Sequence, residues 1–210
     1  MYTGAGNRRS TVLVGLEISA AFDIISHDIL INRLDTQFGV RDSARSCLHS
    51  YLFSRKQFVK LGQRSSAIMP CDSGVPSDSN LGPLLFTAYM SLVGELIYSF
   101  DVSHHHFAED LQLVVAMDAA NTTSALDRLA CCSDAVRQWF LENHLQLNAD
   151  RSDVVILGTS AQLRSAAAVI TVDVAGSPLP VASQIKSLGV ITDNYLRFDR
   201  QTAAVDRQGV

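Results

Sequence analysis

The run "STVLVGLEIS", residues 10–19, constrains this chain more than any other stretch. It is apolar almost throughout, the pattern of a β-strand buried on both faces. Its one charge, Glu17, lies near the end of the strand. A carboxylate there is expensive to bury unless it is paired or bound to a metal. The second acidic site is Glu109-Asp110 in "HHHFAEDLQLVV", between two runs that read as strands. If these strands and the first are central neighbours in one sheet, the acids meet at its edge. From the residues alone two readings stand. Clustered carboxylates suit Mg²⁺, which prefers oxygen ligands and completes its shell with substrate phosphates, and two such ions serve phosphoryl transfer. Alternatively Glu17 faces solvent at a strand end and Glu109-Asp110 tips an ordinary hairpin.

The rest of the pattern defines the frame. "SHDILINRLDTQFGV" predicts a helix capped by Ser26, with Ile29, Leu30, Leu34 and Phe38 at helical spacing and Gly39 as its stop. Asp42 or Ser43 opens a second helix through Tyr51-Leu52. "KQFVKLGQRSSAIMPC" predicts a hairpin with Gly62-Gln63-Arg64 near its turn. The loop "DSGVPSDSN" leads to a helix from Leu81 to Phe100, with Pro83 in its first turn. Residues 121–145 form an amphipathic helix, with Leu126, Leu129, Val136, Phe140 and Leu141 on or near one face. Short strands follow at 153–158, 169–174 and 185–191. This order predicts an α+β domain with a mostly antiparallel sheet and helices on one face. The expected organisation is a disordered lead-in over 1–10, one domain over 11–199 and a tail over 200–210. No dinucleotide or Walker-type phosphate loop is present in the sequence.

Composition bounds the function classes. The chain has 210 residues, 47% of them hydrophobic, enough for one real core. The segment "LGPLLFTAYMSLVGELIYSF" contains Glu95, Gly94 and Pro83 and reads as a buried helix rather than a membrane span. No cationic stretch leads into an apolar run at the N-terminus, so the expected location is intracellular, nucleus or cytoplasm alike, with no membrane partner. Cys47, Cys71, Cys131 and Cys132 lack C-x-x-C spacing and read as buried reduced thiols. Net charge is −4, which counts against a nucleic-acid partner unless basic parts lie outside this chain.

At the level of ordered blocks, the chain resembles the reverse-transcriptase domain of non-LTR (LINE-type) retrotransposons from Thr11 to Asp199. "LEISAAFDIISHDILINRL" resembles the first catalytic block, and "SYLFSRKQFVKLG" the hairpin before the nucleotide loop. "SGVPSDSNLGPLLFTAYM" resembles the second block, and "FAEDLQL" the third, normally Tyr/Phe-Ala-Asp-Asp. "LQLNADRSDVVILG" and "IKSLGVITD" resemble the last palm blocks. The resemblance implies a polymerase palm, an antiparallel sheet backed by helices, with fingers and thumb largely outside this stretch. It implies RNA-directed DNA synthesis with two Mg²⁺ ions, an RNA template, a DNA primer and a dNTP.

Carried over by position, Glu17 and Glu109 fall where two metal-binding aspartates normally stand, and Asp110 matches the second acid of the third block. Phe22 falls at the bulky position that screens the incoming sugar. Ser77 and Asp78 replace a Gln-Gly that contacts the nucleotide. Arg151 stands where a lysine usually donates a proton to pyrophosphate, and Leu188-Gly189-Val190 match the turn that steadies the primer. The departures gather at the chemistry. Glu for Asp moves a carboxylate by on the order of 1 Å, a shift that costs roughly a hundredfold in a positioned reaction. Asp78 adds bulk and negative charge where Gly allows close approach. Arg151 scarcely releases a proton. These changes imply a palm with impaired or lost catalysis. The resemblance is also compatible with a non-catalytic nucleic-acid- or protein-binding domain that keeps the palm scaffold, and with a degenerate retroelement fragment.

Other residues carry two readings each. His104 and His106 share a strand face and invite a metal reading, against a plain strand role. Trp139 and Phe140 suit core packing better than base stacking. Asp23 either assists metal binding or, as a neighbour of the first block, anchors the turn by hydrogen bonds, the second reading being favoured. Arg55, Lys56, Lys60 and Arg64 are either nucleic-acid contacts or a solvated hairpin face.

Overall fold

The structure, a computed structural model, describes residues 9–76, 79–199 and 201–203. The ends that carry the expected lead-in and tail fall almost wholly outside the described residues, as do Ser77 and Asp78. In chain order the elements are β1 (Ser10–Ile18), α1 (His27–Phe38), α2 (Asp42–Leu52), β2 (Arg55–Gln57), β3 (Lys60–Leu61), β4 (Arg64–Ser65) and β5 (Met69–Cys71). Then come α3 (Gly82–Met90), α4 (Val93–Ser99), β6 (Ser103–Phe107), β7 (Asp110–Met117), α5 (Thr122–Glu142) and β8 (Leu147–Leu157). The chain closes with α6 (Ser160–Ser165), β9 (Thr171–Val174), β10 (Ser177–Ala182), β11 (Gln184–Ser187) and β12 (Val190–Asp193). They divide into two compact units. One holds β1, residues 93–139 and the chain from Leu147 onward; the other holds Ala20–Leu92 and Phe140–Gln146.

In the first unit, six strands among the described residues form a sheet in the order β6-β7-β1-β8-β10-β9. All neighbours are antiparallel except β8 and β10, which run parallel at Val154 and Val181. The apolar run places β1 between β7 and β8, as a strand hydrophobic on both faces requires. Val12, Val14, Leu16 and Ile18 bury one face. On the other, Leu13 joins Val155, Leu157 and Ile185 in a small cluster. Buried Ala125, Leu129, Cys132 and Val136 recur along α5 at helical spacing. This is the α+β architecture with a mostly antiparallel sheet expected from the pattern, and it agrees with the palm that the resemblance implies.

The second unit is helical with two short ladders, β2 with β5 and β3 with β4. Ser26 caps α1, its Oγ accepting from the Ile29 N–H at 3.4 Å, and Gly39 ends the helix in the left-handed region at φ 65°. Arg33 is buried, its guanidinium donating to the Tyr89 carbonyl and to Asn143 Oδ1 while stacking 5.2 Å from the Tyr89 ring. Burial pulls the Arg33 pKa down and pushes the Tyr89 phenol up.

Five expectations need correction. The single helix over 81–100 is two helices, α3 and α4, broken at Ser91-Leu92. Past the break α4 packs closely on β6, where a Cβ on Gly94 would lie 3.0 Å from His104 Nε2. Apolar periodicity cannot register such a break. Leu141 is half-exposed rather than part of the core stripe. The strand expected at 185–191 is a hairpin, β11–β12, and the one at 153–158 is the end of a longer strand, β8. Only Cys132 is a buried thiol, pushed up to about 11 chiefly by desolvation; Cys47 and Cys131 are exposed.

Candidate active site

The acids are placed by strand register. Glu17 stands directly opposite Asp110 in the β1–β7 pairing, so both side chains project from the same sheet face. Glu109 lies one residue outside the ladder, in the two-residue turn between Phe107 and Asp110, with Ala108 at φ 49°. The acid that faces Glu17 is therefore Asp110, and Glu109 flanks it. All three are half-buried. Desolvation, then the Glu109 and Glu17 charges, push the Asp110 carboxyl above its ordinary pKa.

Arg151 completes this edge through an irregularity. Gly15 pairs with Asp153 and Glu17 with Asn148, so residues 149–152 of β8 oppose the single residue Leu16. A bulge of this kind bends the strand and re-aims its side chains. The Ser152 hydroxyl donates to the Asn148 carbonyl at 2.9 Å and ties the bulge together. Arg151 Nη1 reaches Glu17 Oε1 at 2.8 Å. A cleft of about 50 Å³ lies on this face, lined by Gly15, Glu17, Asp110, Arg151, Asp153 and Lys186 among others. Gly15 opens it, since a Cβ there would meet only the Asp153 carbonyl, at 4.0 Å.

Leu188 and Gly189 form the β11–β12 turn with φ 49° and 79°. Both in the left-handed region is the signature of a type I′ hairpin. The preceding Ser187 lines the cleft and its Oγ accepts from Gln112 Nε2 at 2.7 Å, which fastens the hairpin to β7. The structure thus sets Glu17 opposite Asp110 and pairs it with Arg151, with Glu109 in the adjoining turn and the Leu188-Gly189 hairpin fastened to β7 through Ser187.

Phe22 belongs to the second unit, where its ring packs 5.1 Å from that of Phe86. There the first and second blocks are zipped together. Val75 N–H donates to the Phe22 carbonyl at 2.7 Å, Gly74 N–H to Ile25 at 2.8 Å, and Ser73 Oγ to Asp23 at 3.0 Å. Asp23 serves this loop through its backbone. His27, which sequence reasoning gave no role, holds the Gly74 carbonyl 2.8 Å from its buried Nε2. Its signal was weak: a polar residue at the first helical position after a Ser cap. His104 and His106 sit on β6, where burial lowers both pKa values.

The comparisons with known proteins fit this geometry. The profile of the reverse transcriptase (RNA-dependent DNA polymerase) family matches residues 3–192. The chain belongs to that family. It is 27% identical over 207 residues to the probable RNA-directed DNA polymerase from transposon BS of Drosophila melanogaster, covering 93% of this chain and 21% of that protein. The RNA-directed DNA polymerase from mobile element jockey, from the same organism, is 25% identical over 207 residues, covering 96% and 22%. The reverse-transcriptase domain is thus of the non-LTR retrotransposon kind, and the chain spans only those shares of its relatives' lengths. In fold it is similar to telomerase. The apo enzyme from Candida tropicalis, truncated from the C-terminal domain, superposes with TM-score 0.58 at 8% identity over 90% of this chain and 35% of that one. Telomerase from Candida albicans, in complex with a fragment of telomeric RNA, gives TM-score 0.57 at 11% identity over 87% and 29%.

Reverse transcriptases generally use Mg²⁺. The residues of this palm, as arranged, do not fit it. Among the described residues no three His, Cys, Asp or Glu side chains converge closely enough to hold a metal ion. The carboxylate best placed to bind one, Glu17, is engaged by a guanidinium. Among the described residues no helix is long and apolar enough to cross a membrane.

Proposed function

We propose that this chain is the palm of an RNA-directed DNA polymerase of the non-LTR retrotransposon type, its catalysis impaired or lost. The observation that carries the reading is the Glu17–Asp110 couple on neighbouring central strands, with Glu109 flanking it and Arg151 paired to Glu17. On this reading residues 11–199 make up the palm. Phe22, Ser77 and Asp78 belong to the nucleotide pocket, and Leu188 and Gly189 to the primer-side turn. The partners are an RNA template, a DNA primer and a dNTP, bound weakly because the net charge of −4 offers little to phosphate.

Impairment follows from chemistry. Glu17 and Glu109 each carry one methylene more than the aspartates their positions resemble, and displacements near 1 Å cost roughly a hundredfold where reacting groups must be positioned. The Glu17 oxygen is already an acceptor for Arg151. Primer extension on an RNA template, first in Mg²⁺ and then in Mn²⁺, tests the proposal. The unaltered chain is expected to give negligible synthesis. Joint reversal through Glu17→Asp, Glu109→Asp, Ser77→Gln and Asp78→Gly, in a chain that also carries fingers and thumb, is expected to restore it. Robust extension by the unaltered protein in Mg²⁺ overturns the proposal.

A further inference from the structure

The Arg151–Glu17 pair is built more carefully than its stability contribution warrants. Arg151 is 69% exposed and Glu17 30%, and ion pairs this open to water contribute about 0–1 kcal/mol. Yet the strand gives up regular pairing over residues 149–152 where it delivers the guanidinium. The cleft it enters is lined by the carboxylates of Glu17, Asp110 and Asp153 and by the cations of Arg151 and Lys186. A hard divalent ion needs a free carboxylate oxygen at roughly 2.0–2.1 Å, and it dehydrates reluctantly. A guanidinium held at 2.8 Å from Glu17 Oε1 competes for the same lone pairs and the same charge. Because it is tethered, its effective concentration reaches roughly the millimolar range or above, which a free ion must outcompete.

We propose that Arg151 is a built-in counter-cation that takes the place of a divalent ion at Glu17, so that the carboxylate edge of this palm is neutralised from within. The proposal rests on reading Glu17 and Asp110 as the palm's acidic site, but its test reads ion occupancy and not synthesis. A polymerase that worked in Mg²⁺ would overturn the functional reading; a failed ion titration overturns this one alone.

The experiment titrates Mn²⁺ into the full chain and follows free Mn²⁺ by electron paramagnetic resonance and the melting temperature in parallel. The proteins are the unaltered chain, Arg151→Gln, Arg151→Met, and Arg151→Gln combined with Glu17→Gln. Both single replacements of this exposed arginine are expected to fold, and circular dichroism checks each. The expected result is at least about tenfold tighter Mn²⁺ binding on losing the tethered cation, with a matching rise in melting temperature on adding Mn²⁺. The gain should disappear when Glu17→Gln is added. Equal Mn²⁺ affinity in the unaltered chain and both single variants overturns the proposal. So does a gain that survives Glu17→Gln, because the ion would then be binding elsewhere.

Discussion

Glu17 and Asp110 face each other as a directly opposed pair across β1 and β7, two carboxylates on one sheet face. Like charges so placed destabilise a sheet by roughly 0.2–1 kcal/mol, and Arg151 touches only Glu17 among them in the described contacts. Asp110→Asn, which removes one charge and keeps the shape, is therefore expected to stabilise the protein at neutral pH by an amount within that range. Glu109→Gln, in the turn outside the ladder, is expected to do less. Chemical denaturation at pH 7 compares them, and a lower midpoint for Asp110→Asn would contradict the account.

The junction of the first two blocks is held at Gly74. Its φ is 83°, and a Cβ there would lie 2.7 Å from the Asp23 carbonyl and 2.9 Å from that of Phe22. Neither obstacle is a flexible side chain. Gly74→Ala is expected to cost on the order of 1–3 kcal/mol from the backbone conformation alone, with the clash in addition, and to loosen the loop that presents Phe22. A thermal melt reads the first effect. Faster amide exchange at Val75, whose N–H is bonded to Phe22, reads the second. An unchanged melt would remove Gly74 from this role.

The β11–β12 turn offers the opposite sign. Leu188 adopts φ 49° with its side chain half-exposed, a conformation that costs an L-residue about 1–2 kcal/mol and glycine almost nothing. Leu188→Gly is expected to stabilise the fold by up to about 1 kcal/mol, the loss of exposed apolar contact being small. If Leu188 steadies a primer, the same change should weaken primer-template binding in a filter assay while raising the melting temperature. Loss of both stability and binding would mean the leucine is merely structural.

How far the sequence could be read follows from which forces were local. The central position of β1 was legible because burial on both faces leaves a continuous apolar run, and α1 because Ser26 and Gly39 mark its ends chemically. The meeting of Glu17 with the 109–110 acids was legible as a possibility, since both close strands of one sheet. Which acid faced Glu17 was not, because register is set by pairing across the ladder and a slip of one residue exchanges faces. The bulge that brings Arg151 to Glu17 was equally hidden: nothing in "LNADRSDVV" distinguishes a regular strand from one that sets four residues opposite a single one. The break at Ser91-Leu92 and the bond from His27 to Gly74 are tertiary in origin and leave no periodic trace.

The histidines of β6 make the last expectation, in pH. Burial is the main cause that lowers both His104 and His106 below the ordinary 6.5, with neighbouring histidine charges adding to it. A histidine whose folded-state pKa is depressed binds fewer protons in the fold than in the unfolded chain. Its contribution is then fully present above about 6.5 and is lost as pH falls from there through the folded value. The melting temperature is therefore expected to be level above neutrality and to decline on acidification below pH 6.5, in addition to any decline from carboxylates at lower pH. Replacing both rings with a neutral side chain, His104→Gln with His106→Gln, is expected to flatten the slope between roughly pH 5 and 6.5, whatever it does to the melting temperature at pH 8. Melts at half-unit steps would measure that slope, and an unaltered slope in the double variant would assign the acid sensitivity to other groups.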